Sequence, residues 1–219
     1  MAIKVPIMSL NDGYVIPALG IGTSNSVTKS YEEVKHALQL GYRHINITES
    51  EELVGIRHAI EESGIPRHEI FITAKVYILE EMGTVISNAL LSLGGTYVDL
   101  YLMDWEPYDH PLVLFAAWRV MERIKKSGQA KSIGVANMGI HDLKSIIERA
   151  EYFLPAINQV KFQSYYPQNH PLEWTKMQGI VTASYGSLDS LGRIENRGRS
   201  PFVEPESTLP KRVGNTNGA

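Results

Sequence analysis

VDLYLMDWEP, residues 98–107, is apolar on both faces from Leu100 to Met103, whereas a half-buried strand alternates apolar with polar. A run so short and so apolar predicts a strand covered by helices on both sides, or one closed into a barrel. The carboxylate that follows it, Asp104, then needs a reason to stand at the end of buried core.

Similar runs recur on either side: LGIGT (19–23), HINI (44–47), IFITAKV (70–76), SIGVA (132–136), AINQVKF (156–162) and IVTASY (180–185). Between them lie stretches with helical spacing of apolar residues, at 31–41, 51–64, 80–94, 112–128 and 140–151, several of which stop at Gly. Strand and helix alternating in this way predict a parallel sheet with right-handed crossovers. A TIM-type (β/α)8 barrel is favoured over an open doubly wound sheet, because no Gly-rich dinucleotide turn follows the first strand. MSLNDGYVIP (8–17) predicts a hairpin turning at Asp12-Gly13, placed to plug the barrel's bottom.

The chain has 219 residues and is 43% hydrophobic, which supports one (β/α) barrel domain across 1–219 rather than two domains. Residues 188–219 are polar, rich in Pro and Gly, and without helical period, so they read as an irregular C-terminal segment. Only STLPK (207–211) offers an eighth strand, and a barrel of this type typically takes ~250 residues. The expectation is therefore a barrel incomplete or truncated after its seventh strand.

Net charge is −3 with no polybasic block, which argues against nucleic acid as a partner. The absence of cysteine removes disulfides, thiolate metal sites and a cysteine nucleophile. No apolar run approaches the ~20 residues of a membrane span, so the expectation is a cytoplasmic protein acting on a small molecule, with no membrane partner. The seven histidines show no metal-ligand spacing, and no metal is expected. Oligomeric state is not legible.

In a (β/α) barrel, residues just past the C-terminal strand ends line the active-site mouth. Those positions hold Asn46, Lys75, Asp104, Asn137, Gln159 and Tyr185, a polar ring from six strands. Trp105, Tyr77 and Tyr108 follow the same strand ends and are candidate substrate-lining aromatics, with packing under a loop as the equal alternative.

The segments LNDGYVIPALGIGT, GYRHIN, EIFITAK, VDLYLMDW, KSIGVAN, PAINQVKF and IVTASYGSL occur in the order and at about the spacing of the aldo-keto reductases, and resemble that family over roughly residues 8–190. The resemblance implies a TIM barrel with NADPH across its C-terminal face. It also implies four catalytic positions: an aspartate, a tyrosine proton donor, a lysine and a histidine. Here Lys75 survives, Asn46 stands for the aspartate, Asp104 stands for the histidine, and the shortened NITESEELVG carries no tyrosine. By the same resemblance Asn137, Gln159 and Tyr185 match the nicotinamide-holding positions, and Lys211 and Arg212 read either as a remnant of the phosphate-binding pattern or as a basic polar tail.

A carboxylate at 104 would repel a developing alkoxide, which opposes carbonyl reduction. The leading expectation is thus a redox-silent small-molecule enzyme (isomerase, cyclase or lyase) with Asp104 and Lys75 as acid and base and Asn46 beside them. Residual NADPH-dependent reduction, with Tyr77 or Tyr108 as substitute acid, is the alternative. A non-enzymatic binding protein or pseudoenzyme is the third.

Overall fold

The computed structural model describes residues 5–23, 27–47, 52–77, 81–105, 111–161 and 169–186. Two short strands, β1 (Ile7–Ser9) and β2 (Val15–Pro17), come first. Seven strands then alternate with helices: β3 (Ile21–Gly22), α1 (Val27–Leu40), β4 (His44–Ile47), α2 (Leu53–Ser63), β5 (Phe71–Val76), α3 (Met82–Leu93), β6 (Val98–Asp104), α4 (Pro111–Lys126), β7 (Ala130–Ala136), α5 (Ile140–Arg149), β8 (Ile157–Lys161), α6 (Asn169–Met177) and β9 (Val181–Tyr185). A 3-10 turn, Arg67–Glu69, precedes β5. These elements belong to one unit, Met1–Tyr185.

β3 to β9 pair in sequence order, every pair parallel, as the wall of a TIM-type barrel does. The proposed eighth strand at 207–211, and the segment 188–219 as a whole, lie outside the described residues. α6 is an element that sequence periodicity does not announce. NHPLEWTKM is short, and its Pro171 is tolerated because it falls in the first turn, where an N–H has no helical partner.

Strand alternation sorts the core into two parts. Ile72, Ala74, Val76, Tyr101, Met103, Ile133 and Val135 face the helices and meet Ile56, Ile86, Trp118 and Met121. Phe71, Leu100, Leu102 and Ile157 face the barrel interior instead, with Val181 and Ala183 packed against them. All seven residues of β6 are buried, in agreement with the reading of VDLYLM as a strand covered on both faces.

The hairpin closes the interior from below. β1 and β2 pair antiparallel, and Gly13 takes φ +87° in the turn, a conformation that strains any residue with a Cβ. Leu10 and Ile16 insert among the interior residues Phe71, Leu100 and Leu102. Two polar ties hold the plug in place: Asn11 Nδ2 donates to the Pro155 carbonyl at 2.9 Å, and Asp12 pairs with Lys125 of α4. Closing the bottom with apolar side chains leaves the opposite end of the barrel for polar groups.

Among the described residues no helix is long and apolar enough to cross a membrane.

Candidate functional site

Toward the C-terminal ends of the strands, the inward-facing side chains turn polar. Lys75 follows Phe71 and Thr73 on the inner face of β5; Asp104 follows Leu100 and Leu102 on β6; Gln159 follows Ile157 on β8; Tyr185 follows Val181 and Ala183 on β9. Asn46 shares the inner face of β4 with His44. Period-two alternation on neighbouring parallel strands therefore gathers side chains that are distant in sequence.

The structure joins Lys75 to Asp104. Lys75 Nζ lies 3.3 Å from Asp104 Oδ2, with side-chain exposures of only 2% and 8%. Burial lowers the Lys75 pKa below the ordinary lysine value, because the ammonium has lost its water, and the Asp104 charge opposes that shift. The Lys75 ammonium also lies 4.2 Å from the centre of the Tyr185 ring and 5.8 Å from that of Tyr77. An aromatic face attracts a cation without adding a second anion.

Asn137 organises the other side of the carboxylate. Its Nδ2 donates to Asp104 Oδ1 at 2.8 Å and to the Tyr185 hydroxyl oxygen at 3.0 Å, while its Oδ1 accepts the Lys161 backbone N–H at 3.2 Å. Its backbone holds φ +55°, the one left-handed non-glycine conformation among the described residues. Asn is among the few side chains that visit this region readily, and isolated residues there cluster at functional sites. The result is a fixed carboxylate with one oxygen on an ammonium and the other on an amide.

Two acceptors in this tier have no partner. Among the described residues, Gln159 Oε1 and Asn46 Oδ1 are buried and accept no hydrogen bond. Burying such an atom unsatisfied costs ~1–3 kcal/mol, so each is a position where a ligand donor would be favoured. Gln159 Oε1 is chemically suited to a carboxamide N–H, which fits the nicotinamide end of a dinucleotide. The Asn137 amide, by contrast, is already committed to Asp104, Tyr185 and Lys161.

The candidate aromatics separate. Tyr77 is 52% exposed beside Lys75. Trp105 is buried in the core on the helix side, and its Nε1–H donates to Asp142 Oδ2 of α5 at 2.8 Å. Asp104 faces in, so its neighbour Trp105 faces out. Tyr108, Lys211 and Arg212 lie outside the described residues. What sequence reading missed is the cross-linking role of Asn137; the available signal was an Asn directly after a strand and two residues before Gly139.

A second charged cluster lies at the other end of β6. Asp99 accepts the Ile72 backbone N–H at 3.0 Å and pairs with Arg67 at 2.8 Å and Lys131 at 3.2 Å. It ties the N-terminal ends of β5, β6 and β7 together. Every carboxylate oxygen there is occupied by the protein itself, as a structural role requires.

Comparison with known proteins gives a consistent picture. The chain matches the profile of the Aldo/keto reductase family over residues 8–213. It is 34% identical over 216 residues to glycerol 2-dehydrogenase (NADP(+)) of Saccharomyces cerevisiae, covering 84% of this chain and 69% of that protein. It is 38% identical over 201 residues to an aldo-keto reductase of a Mycobacterium species, covering 88% and 69%. Among solved structures, the aldo/keto reductase from Brucella melitensis superposes with a TM-score of 0.76 at 32% identity, over 90% of this chain and 81% of that one. A Bombyx mori aldo-keto reductase solved in complex with NADP gives 0.77 at 27% identity, over 95% and 74%.

Proposed function

The chain belongs to the aldo/keto reductase family, and from that premise we propose that it is an enzyme acting on small carbonyl compounds at the Lys75–Asp104 pair by proton transfer, without hydride transfer. The observation that carries this reading is the pair itself, a buried ammonium and carboxylate at 3.3 Å on the inner face of the strand ends. The reaction class is isomerase, cyclase or lyase. In the form proposed here, a proton leaves the carbon next to a carbonyl and the oxygen of the resulting enolate must be stabilised.

Asp104 is the base for that proton, and the Lys75 ammonium stabilises the enolate oxygen. The electrostatics favour this division. A fixed cation aimed at developing negative charge in a water-poor site lowers the barrier without reorganisation. Burial lowers the Lys75 pKa from the ordinary lysine value, which makes its ammonium a stronger acid toward the enolate oxygen. Asn137 holds the carboxylate in register, and the unpartnered Asn46 Oδ1 is an acceptor for a substrate hydroxyl.

The test is exchange of carbon-bound protons for deuterium in D2O with a panel of small aldehydes and ketones, followed by NMR. Wild type exchanges at least one member of the panel, and both Asp104→Asn and Lys75→Met abolish it. Undiminished exchange in both variants would remove these residues from the reaction.

A second reading is favoured by the buried, unpartnered Gln159 Oε1 together with the NADP-linked relatives. In it the protein binds NADP(H), with Gln159, Asn137 and Tyr185 at the nicotinamide and Lys211 and Arg212 toward the phosphates. The cofactor would supply a hydride; the chain's own contribution would be Tyr77 as proton donor beside Lys75. Calorimetric titration with NADPH separates the readings. Micromolar binding, with NADPH consumed by aldehydes and lost in Tyr77→Phe, would support reduction. Absence of binding to millimolar concentration would leave proton transfer or simple binding.

A further inference from the structure

We propose that Lys75 is an amine nucleophile that forms an imine with the carbonyl carbon of a small aldehyde or ketone, with Asp104 moving the protons. This rests on the reading of the pocket as a carbonyl site with Asp104 as the base, and it changes the part of Lys75: a covalent imine nitrogen takes over from the free ammonium as the group that stabilises the charge.

Geometry is the ground for it. Lys75 Nζ is buried on the inner face of β5, with its carboxylate partner at 3.3 Å and an aromatic ring, Tyr185, at 4.2 Å. A desolvated lysine is a usual way for a protein to present an amine to a carbonyl, and here Asp104, the group that holds the charge on Lys75, is also the group placed to accept its proton. Asp104 is near enough to take the ammonium's proton directly. Its other oxygen is anchored by Asn137 at 2.8 Å, so it stays within reach through every step. Among the described residues, the exposed Lys126 and Lys144 lie over aromatic rings, Tyr152 and Trp174, and pair with no carboxylate.

The protons balance without an outside reactant. The Lys75 ammonium passes one proton to Asp104, and the free lone pair forms the C–N bond as the carbonyl π bond opens. The oxygen takes that proton from Asp104. A second proton then moves from nitrogen through Asp104 to the hydroxyl, which leaves as water while nitrogen forms the C=N bond. The net change is ammonium plus carbonyl to protonated imine plus water. The protonated imine remains opposite the Asp104 carboxylate, which stabilises it. Tyr185 must turn aside to admit the carbonyl carbon, so its ring acts as the cover of the nucleophile.

The test uses the full chain with hydroxyacetone and with glycolaldehyde, each trapped by cyanoborohydride and mapped by peptide mass spectrometry. The expected result is rapid reductive labelling at Lys75, with exposed lysines such as Lys126 and Lys144 labelled only slowly. Asp104→Asn should slow the Lys75 labelling ~100-fold, the scale of a lost proton-transfer group. Lys75→Arg keeps a cation opposite Asp104 and the fold, but cannot form an imine, so it should lose the rapid adduct entirely. Labelling confined to exposed lysines, or equal labelling of wild type and Lys75→Arg, would overturn the proposal. Deuterium exchange in wild type without any Lys75 adduct would overturn the imine step alone and leave Asp104 as the base; failure of both would remove the carbonyl reading as well.

Discussion

Replacing Asp104 by Asn leaves the Lys75 ammonium buried without its counter-ion, and the cost can be worked from the structure. At 3.3 Å, and with an effective dielectric constant of about 20, the pair's attraction is ~5 kcal/mol. Removing one member of a buried pair typically destabilises by ~3–5 kcal/mol, because the remaining charge is uncompensated. Asn cannot recover this: its Oδ1 can still accept from Asn137, but its Nδ2 then faces an ammonium. The deficit also has a pH signature. Asp104 raises the Lys75 pKa, so without it burial acts alone and the folded-state pKa falls further below the unfolded value of 10.5. Between those two values the unfolded chain binds more protons than the folded one, so stability rises with pH. Urea denaturation should therefore show Asp104→Asn ~3 kcal/mol less stable than wild type near pH 7, with the gap narrowing toward pH 10. In a double-mutant cycle with Lys75→Met, the double variant should recover much of the loss. A single-variant loss below ~1 kcal/mol, or a gap independent of pH with no coupling in the cycle, would refute the pair as described.

Three further outcomes are expected. His44 is held between the Pro17 carbonyl at 3.3 Å and Thr73 Oγ1 at 2.8 Å, and burial pushes its pKa down to about 4. Its stabilising neutral form is fully present above pH 6.5 and is penalised as pH falls toward 4; the loss, at most ~3 kcal/mol, should be flattened in His44→Gln when thermal unfolding is followed across that window. Gly134→Ala would place a Cβ 2.6 Å from the Ile157 carbonyl oxygen and 2.9 Å from Leu102 Cδ2, so β8 must shift; a loss of ~1–3 kcal/mol is expected in urea denaturation. Asn137→Gly keeps the left-handed backbone but removes the side chain from Asp104 Oδ1, the Tyr185 hydroxyl and the Lys161 N–H, so deuterium exchange should fall by roughly tenfold or more, and stability in urea by ~1–3 kcal/mol.

Much of the fold was legible because its strands are read twice, by the helices outside and by the plug and barrel core inside. VDLYLM and IFITAKV are buried along their whole length for that reason, and Asp12-Gly13 marked the hairpin because its turn needs positive φ at Gly13. α6 was not legible: NHPLEWTKM is nine residues long and carries a proline, too short for periodicity to speak. The site was legible as positions rather than as contacts. That Asp104 faces inward and Trp105 outward follows from alternation once the strand is fixed, yet grouping both as strand-end residues concealed it. The link from Asn137 to Asp104 depends on a left-handed backbone at the end of β7, a local choice that no apolar pattern records.

On the proposed reading, protons rather than hydride move at Lys75–Asp104. The most direct measurement is a single reaction of the full chain with NADPH and hydroxyacetone in D2O, reading carbon-bound deuterium by NMR and NADPH oxidation by absorbance in the same tube. Deuterium incorporation with NADPH unconsumed, lost in Asp104→Asn, is the predicted result. Stoichiometric NADPH oxidation without deuterium exchange into the remaining hydroxyacetone would contradict it and identify the protein as a working reductase.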